Sequence, residues 1–466
     1  MGDGSGTATE RIRRLLTLTA GLFAATTVAS AHSGGLSAAQ QDPIQIPLWL
    51  FLTTGGGVVG ASFLLSSFAT DRSLLDAVHG WRVEIPVSDE ILTWGRRLAG
   101  AFGVAVLSLV VVTSVFGPTQ PTANLAVLLV WAGWWAGLTM VVYLVGDVWQ
   151  AVDPWRTLGR VLGRAGLRSY PERVGAWPSV AGLLALVWLE VVSPVAEDPL
   201  LLGSVVVGYT VVTVSGAVVF GADAWFAHVD PIARIYRYYG RVAPIRRGSD
   251  GLEIALPAAR LTDHEFVDGF DEVAFVVAIL WVTTYDGLVS TPTWAGVTRW
   301  VVDLGVPPLL AYLGTLVAGF ALFLGIYRVA AARVQRSADS YLPVRRLSRA
   351  FVPSLLPIAV GYHLAHFLAY FLQLLPALLA SLRHPFSVPP VLEVLVVPDW
   401  FGALPIAFVL IGHLVAVWVA HATAFDYFPH RVQAIRSQYP LVVAMVFYTM
   451  VSLWIVSRPS VPLPYL

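Results

Sequence analysis

The sequence predicts an all-α fold, a polytopic bundle of about ten transmembrane helices behind an N-terminal signal segment. Three observations predict it. Hydrophobic residues make up 57% of 466 positions and charged ones only 12%, a balance outside that of ordinary soluble domains. Apolar runs of roughly 20 residues, the length that crosses a hydrocarbon core, recur along the chain. Arginines crowd every second connecting loop and nearly vanish from the others, the asymmetry that places basic loops in the cytoplasm.

The elements follow in order. Arg11, Arg13 and Arg14, the apolar run Leu15 to Val28 and the small residues Ala29-Ser30-Ala31 have the three parts of a secretory signal, so residues 1–31 read as a signal peptide or an uncleaved signal anchor. Residues 32–466 read as one multipass domain. Its spans are expected near 46–68, 99–117, 123–147, 177–193, 200–226, 272–290, 304–330, 351–381, 400–424 and 438–457. The Arg-bearing loops near 69–98, 148–176, 227–271, 331–350 and 425–437 are expected in the cytoplasm, with residue 32 and the C-terminus outside a plasma membrane.

Composition excludes several chemistries. There is no Cys, which removes disulfides, thiolate catalysis, Fe–S clusters and Cys-type zinc sites. Four Met give no basis for a sulfur-lined copper(I) path. The formal charge is zero and every cation is Arg, and no basic-aromatic pattern marks a nucleic-acid surface. The lipid bilayer is the expected partner, and a small molecule or a metal ion is the candidate ligand. No phosphate loop, nucleophile elbow or metalloprotease helix motif occurs.

Imidazoles and carboxylates remain. His363 and His366 lie three apart in one apolar segment, so they share a helix face with Tyr370 and Gln373. His413 in the next segment, entered from the opposite side, reaches a similar depth. His421, a further candidate metal ligand, is about 80° further round that helix and nearer the cytoplasm. Ionisable groups in hydrocarbon are costly, so such residues are functional candidates by default. His363, His366 and His413 converging on one site would suit Zn, Cu or Fe, and two opposed rings such as His363 and His413 would suit a b-type haem. The alternatives are a proton or substrate pathway, and neutral histidines that merely bond neighbouring helices. His32, the first residue after the signal, is a further candidate metal ligand through its amine and ring.

Carboxylates form a second constellation. Glu272, Thr283 and Asp286 share a face of one span, with Asp286 near the outer mouth as a candidate catalytic acid or base. Glu190 lies near the outer end of another span. Asp223 shares a face with Tyr209, Thr213 and Gly216, and each carboxylate also has a plain interfacial reading.

Asp153-Pro154 and Asp230-Pro231, each followed by spaced arginines, open short amphipathic helices whose arginines meet headgroups; a parallel duplication is the alternative reading. Gly248-Ser249-Asp250-Gly251 before Leu252–Leu256 predicts a hairpin against the membrane surface. Ser437 and Pro440 read as the cap and first turn of the last span.

Across nearly its whole length the chain resembles a family of bacterial and archaeal multipass proteins labelled fenitrothion hydrolase-like. The shared marks are Ala31-His32-Ser33-Gly34-Gly35 before Pro47-Leu48-Trp49-Leu50-Phe51, Asp153-Pro154-Trp155-Arg156, Tyr285-Asp286-Gly287 with Pro292-Thr293-Trp294, Ala365-His366, Gly412-His413 and Ala420-His421, and Ser437-Gln438 with Tyr448-Thr449 and Leu453-Trp454. The resemblance implies hydrolysis of organophosphate-type esters and draws attention to His32, Asp286, His366, His413 and His421. Asp153 stands where relatives have Asn, and the Gln-Gly-Gln expected after His366 is missing.

Three functions are therefore compatible with the sequence. They are a metal- or haem-binding membrane protein, a metal-dependent membrane hydrolase in which bound metal activates water, and a proton-coupled transporter using the His and Asp residues as a relay.

Overall fold

The computed structural model describes residues 48–66, 77–78, 80–163, 166–263 and 266–466. The signal segment and His32 lie outside them. Among the described residues, eight helices are long and apolar enough to cross a membrane. They are α2 (Asp89–Phe116), α3 (Leu125–Leu144), α6 (Pro199–Phe220), α8 (Phe270–Val289), α10 (Pro308–Ser337), α12 (Leu356–Arg383, with the turn before it), α13 (Leu404–Tyr427) and α14 (Arg431–Val456). Two shorter apolar stretches lie within α1 (Leu48–Ser66) and in α5 (Trp177–Val192). Short helices α4 (Pro154–Leu162), α7 (Pro231–Tyr239), α9 (Pro292–Asp303) and α11 (Val344–Phe351) sit in the connections.

The exterior shows why a bilayer is the solvent. Leu98, Phe102, Val211, Leu322, Val329 and Val443 are exposed on the long helices, a surface that water would not tolerate and lipid satisfies. At the centre, α8 is buried on almost every face and packs against α5, α10, α12 and α14. The α12–α13 pair packs closest. A Cβ on Gly361 would stand 2.5 Å from the Phe408 carbonyl, and one on Gly412 2.5 Å from the Pro357 carbonyl, so these two glycines let the backbones touch.

Several boundaries differ from expectation. The fifth span ends at Phe220 because Gly221 takes φ +83° and starts a new turn. Asp223 therefore leaves the span and becomes an exposed partner of exposed Arg160 at 3.6 Å, the plain interfacial reading. The last span starts at Arg431, so Pro440 is interior and Ser437 is no cap. Ser437 Oγ and Gln438 Nε2 both donate to the Ala434 carbonyl, which absorbs the polar break into a continuous helix.

Both Asp-Pro pairs open nine-residue helices, and each Asp side chain accepts a backbone N–H three residues on. Helix α7, however, is almost entirely buried rather than lying among headgroups. Its Arg234 bonds Glu272 at 2.8 Å, Tyr238 at 3.2 Å and the Ala227 carbonyl. Glu272 is thus committed at the N-terminal end of α8 and shares no site with Asp286.

The predicted hairpin is present as β2 (Ile245–Arg247) and β3 (Gly251–Ala255). A further strand that sequence reading did not anticipate, Arg82–Pro86, pairs antiparallel with β3 on its other side, giving a three-stranded sheet with β3 in the middle. Arg247 reaches Asp89 at 2.7 Å, Arg349 bonds the Asp268 carbonyl, and Gly146 bridges to Ile245. The Arg-rich loops thus meet one another at one end of the bundle.

Candidate functional site

The site is built where α5, α8 and α12 meet. Asp271, in the first turn of α8, accepts the backbone N–H of Ala176, the residue just before α5. That bond sets the two helices side by side from the same end. Glu190 then lies 13 residues along α5 and Asp286 16 residues along α8, about 20 and 24 Å up at 1.5 Å per residue. The two carboxyl groups arrive at one level and line one small cavity of about 30 Å³ with Thr283, His363 and His366. His366 Nε2 stands 3.6 Å from Asp286 Oδ2. The His366 side chain is 35% exposed and that of Asp286 17%, while Tyr362, His363 and Phe367 beside them are buried.

Gly287 makes the approach possible. A Cβ there would stand 2.5 Å from the Tyr362 hydroxyl, so only the absence of a side chain lets Tyr362 seat beside the Asp286 turn. Tyr285 is anchored on the other side of α8 by donating to the Tyr312 carbonyl at 3.0 Å. The run Tyr285-Asp286-Gly287 is thereby an anchor, an acid and a gap.

His363, fully buried, points elsewhere. Its Nε2–H donates to the Trp135 carbonyl at 3.2 Å and its Nδ1 accepts the Tyr143 hydroxyl at 3.1 Å. The carbonyl has no proton to give, which fixes the tautomer. Trp135 belongs to a ten-residue π-helical stretch, Leu129–Leu138, inside α3. Such a stretch displaces carbonyls from the α-helical ladder and is a frequent companion of functional sites. With both nitrogens engaged, His363 offers no lone pair to a metal.

The predicted convergence of histidines is not what the structure brings together. Among the described residues no group of three or more His, Cys, Asp or Glu side chains is placed to hold a metal ion. His413 turns its Nδ1–H onto the Val409 carbonyl of its own helix at 2.8 Å. Its buried Nε2 has no hydrogen-bond partner among the described residues. His421 donates from Nδ1 to Gln438 Oε1 at 3.1 Å, because Gln438 Nε2 is spent on Ala434. The physical reason for the separation is helix rotation: His366 faces α8, His363 faces α3, and His413 and His421 face α13's own backbone and α14.

Sequence reading singled out Asp286 as a catalytic acid or base and His366 as a metal ligand, without pairing them. It noted Glu190 without placing it at the site, although Glu190 is the one ionisable residue of its apolar helix. Tyr143, Trp135 and Tyr362 were not legible, since an aromatic residue in an apolar run carries no local mark of its partner.

Fold and site together define a polytopic integral membrane protein with an acid–imidazole pair inside its helix bundle. No protein family, curated protein or solved structure matches the chain.

Proposed function

We propose that the chain is a proton-coupled membrane transporter in which Asp286 and His366 relay protons between the outer mouth and Glu190. The observation that carries this reading is the 3.6 Å approach of His366 to Asp286 in a cavity also lined by Glu190. A carboxylate and an imidazole at that spacing exchange a proton directly or through one water, and two carboxyl groups facing one cavity avoid carrying two charges by sharing protons. Intramembrane chains of such groups are the usual material of proton pathways.

The test is proton flux in liposomes loaded with a pH-sensitive dye, with D286N and H366A as variants. Wild-type flux with loss in both variants is expected; equal flux in all three overturns the relay. A second reading, metal or haem binding, is favoured by one observation, the unpartnered Nε2 of buried His413. A Soret band, or stoichiometric Zn, Cu or Fe in the purified protein lost on H413A substitution, would replace the relay with that reading. The ester-hydrolase expectation rests on the family resemblance and is tested by turnover of a chromogenic phosphotriester.

A further inference from the structure

Beside the acid–imidazole cavity lies a larger one of about 150 Å³ between α3, α5, α6 and α7. Its walls are apolar and aromatic, with the rings of Trp131, Trp134, Trp155 and Tyr209 set around it. Trp155 and Tyr209 are edge to face at 4.9 Å, and the indole N–H of Trp155 and hydroxyl of Tyr209 are both turned away, onto Thr210 at 2.8 Å and Asp230 at 2.8 Å. Those two bonds hold the rings of Trp155 and Tyr209 in place. Val130, Trp134, Trp155 and Val206 also line an adjoining apolar cavity of about 300 Å³ against α2. The two spaces share those four side chains as a common wall.

One carboxylic acid residue lines this aromatic space, and it is Glu190. The same residue lines the cavity of Asp286 and His366, so Glu190 stands between the two. Among the described residues it makes no hydrogen bond or ion pair. A carboxylate in hydrocarbon needs either a proton or a counter-ion. The tryptophan and tyrosine faces beside it attract cations through their quadrupoles, and aromatic boxes are the recognised way to hold quaternary ammonium groups. Around it stand Asp286, His366 and His363 at the shared cavity, and on the other lining elements Tyr209 bonded to Asp230, Arg156 against Asp153 and Arg234 against Glu272; both arginines already have a carboxylate partner.

We propose that this cavity binds a monovalent organic cation bearing an apolar ring, with its charge on Glu190 and its ring against Trp131, Trp134 and Trp155. Binding rests on this cavity alone. Its exchange against a proton rests on the relay reading, in which Glu190 holds either the cation or a proton passed from Asp286 and His366.

The experiment is equilibrium binding of labelled benzyltrimethylammonium to the full chain in nanodiscs at constant pH, with no gradient, so that its outcome is separate from that of the flux assay. Saturable binding is expected, and neopentylbenzene, the neutral isostere, is expected not to compete. E190Q is expected to weaken binding by about tenfold or more, the consequence of removing the counter-ion, while E190D retains it. Competition by the neutral isostere equal to that of the cation, or wild-type binding by E190Q, overturns the proposal and points to a neutral apolar ligand. Absence of binding to the folded wild-type protein overturns it outright, and the competition result does not depend on any variant folding.

Discussion

His363 illustrates how a polar residue is made harmless in hydrocarbon. Each ring nitrogen has one partner, Tyr143 and the Trp135 carbonyl, and rings of Trp135, Tyr143, Tyr239 and Phe367 surround it. Removing the hydroxyl in Y143F leaves a buried acceptor unpaired and should cost about 1 kcal/mol, since bonds of this kind in membranes are worth less than in vacuum. A thermal melt in detergent checks this: the midpoint falls while proton flux persists. The opposite pattern is expected of D286N, which keeps the shape of the site and loses flux. The four late histidines were legible as unusual because each interrupts an apolar run, but their partners sit 228 and 220 residues away for His363, and no local pattern encodes such distances.

Among the elements, the N-termini of α4 and α7 come together through their capping acids. Burial, and then the neighbouring Asp230, pushes the Asp153 carboxyl up to about 7, against the opposing pull of the Arg156 backbone and guanidinium. Asp230 is raised too, chiefly by burial, with its cap to Ala233 and the Tyr209 hydroxyl opposing. A carboxyl whose folded value lies above its unfolded one binds more protons in the folded state. Stability contributed by Asp153 is therefore present at low pH and lost as pH rises from near 3.8 to about 7. Melting midpoints of wild type and D153N across that window should diverge, with the variant flatter, because Asn keeps the cap without the charge. Parallel curves would show that Asp153 does not titrate there. The helix-opening role of both Asp-Pro pairs was readable from the sequence, since a cap and a first-turn Pro act locally. The burial of α7 was not readable, because its arginines suggested a surface and Glu272, which neutralises Arg234, is 38 residues away.

For the whole molecule, the Arg234–Glu272 pair ties the longest loop to the central helix. Arg234 is 1% exposed and its guanidinium also reaches the Ala227 carbonyl and Tyr238. The substitution E272Q leaves a buried cation without its counter-charge and should cost about 3–5 kcal/mol, read as a large drop in melting midpoint or loss of monodisperse protein. If E272Q melts like wild type, the neutral acceptors of Arg234, the Tyr238 hydroxyl and the Ala227 carbonyl, suffice. The closest helix contact gives a parallel expectation. A G361L variant places a side chain where the Phe408 carbonyl and Gly412 now lie and should split α12 from α13, lowering stability far more than the same change at Gly314, where a Cβ would meet nothing within 4 Å.

The sequence by itself determined that this is a helical membrane protein, where its long apolar helices run, and which residues are costly enough in lipid to be worth attention. Those properties are local: a run of apolar side chains must shield its own backbone hydrogen bonds in hydrocarbon, and a helix does so without help from elsewhere. Only the tertiary structure decided which of the ionisable residues meet. It set His366 against Asp286, brought Glu190 to their level through the Asp271 bond to Ala176, and turned His363, His413 and His421 away from one another. Helix rotation and neighbour choice follow from the sum of small packing differences over the whole bundle, and glycine contacts such as Gly361 with Gly412 settle them only once both partners are in place.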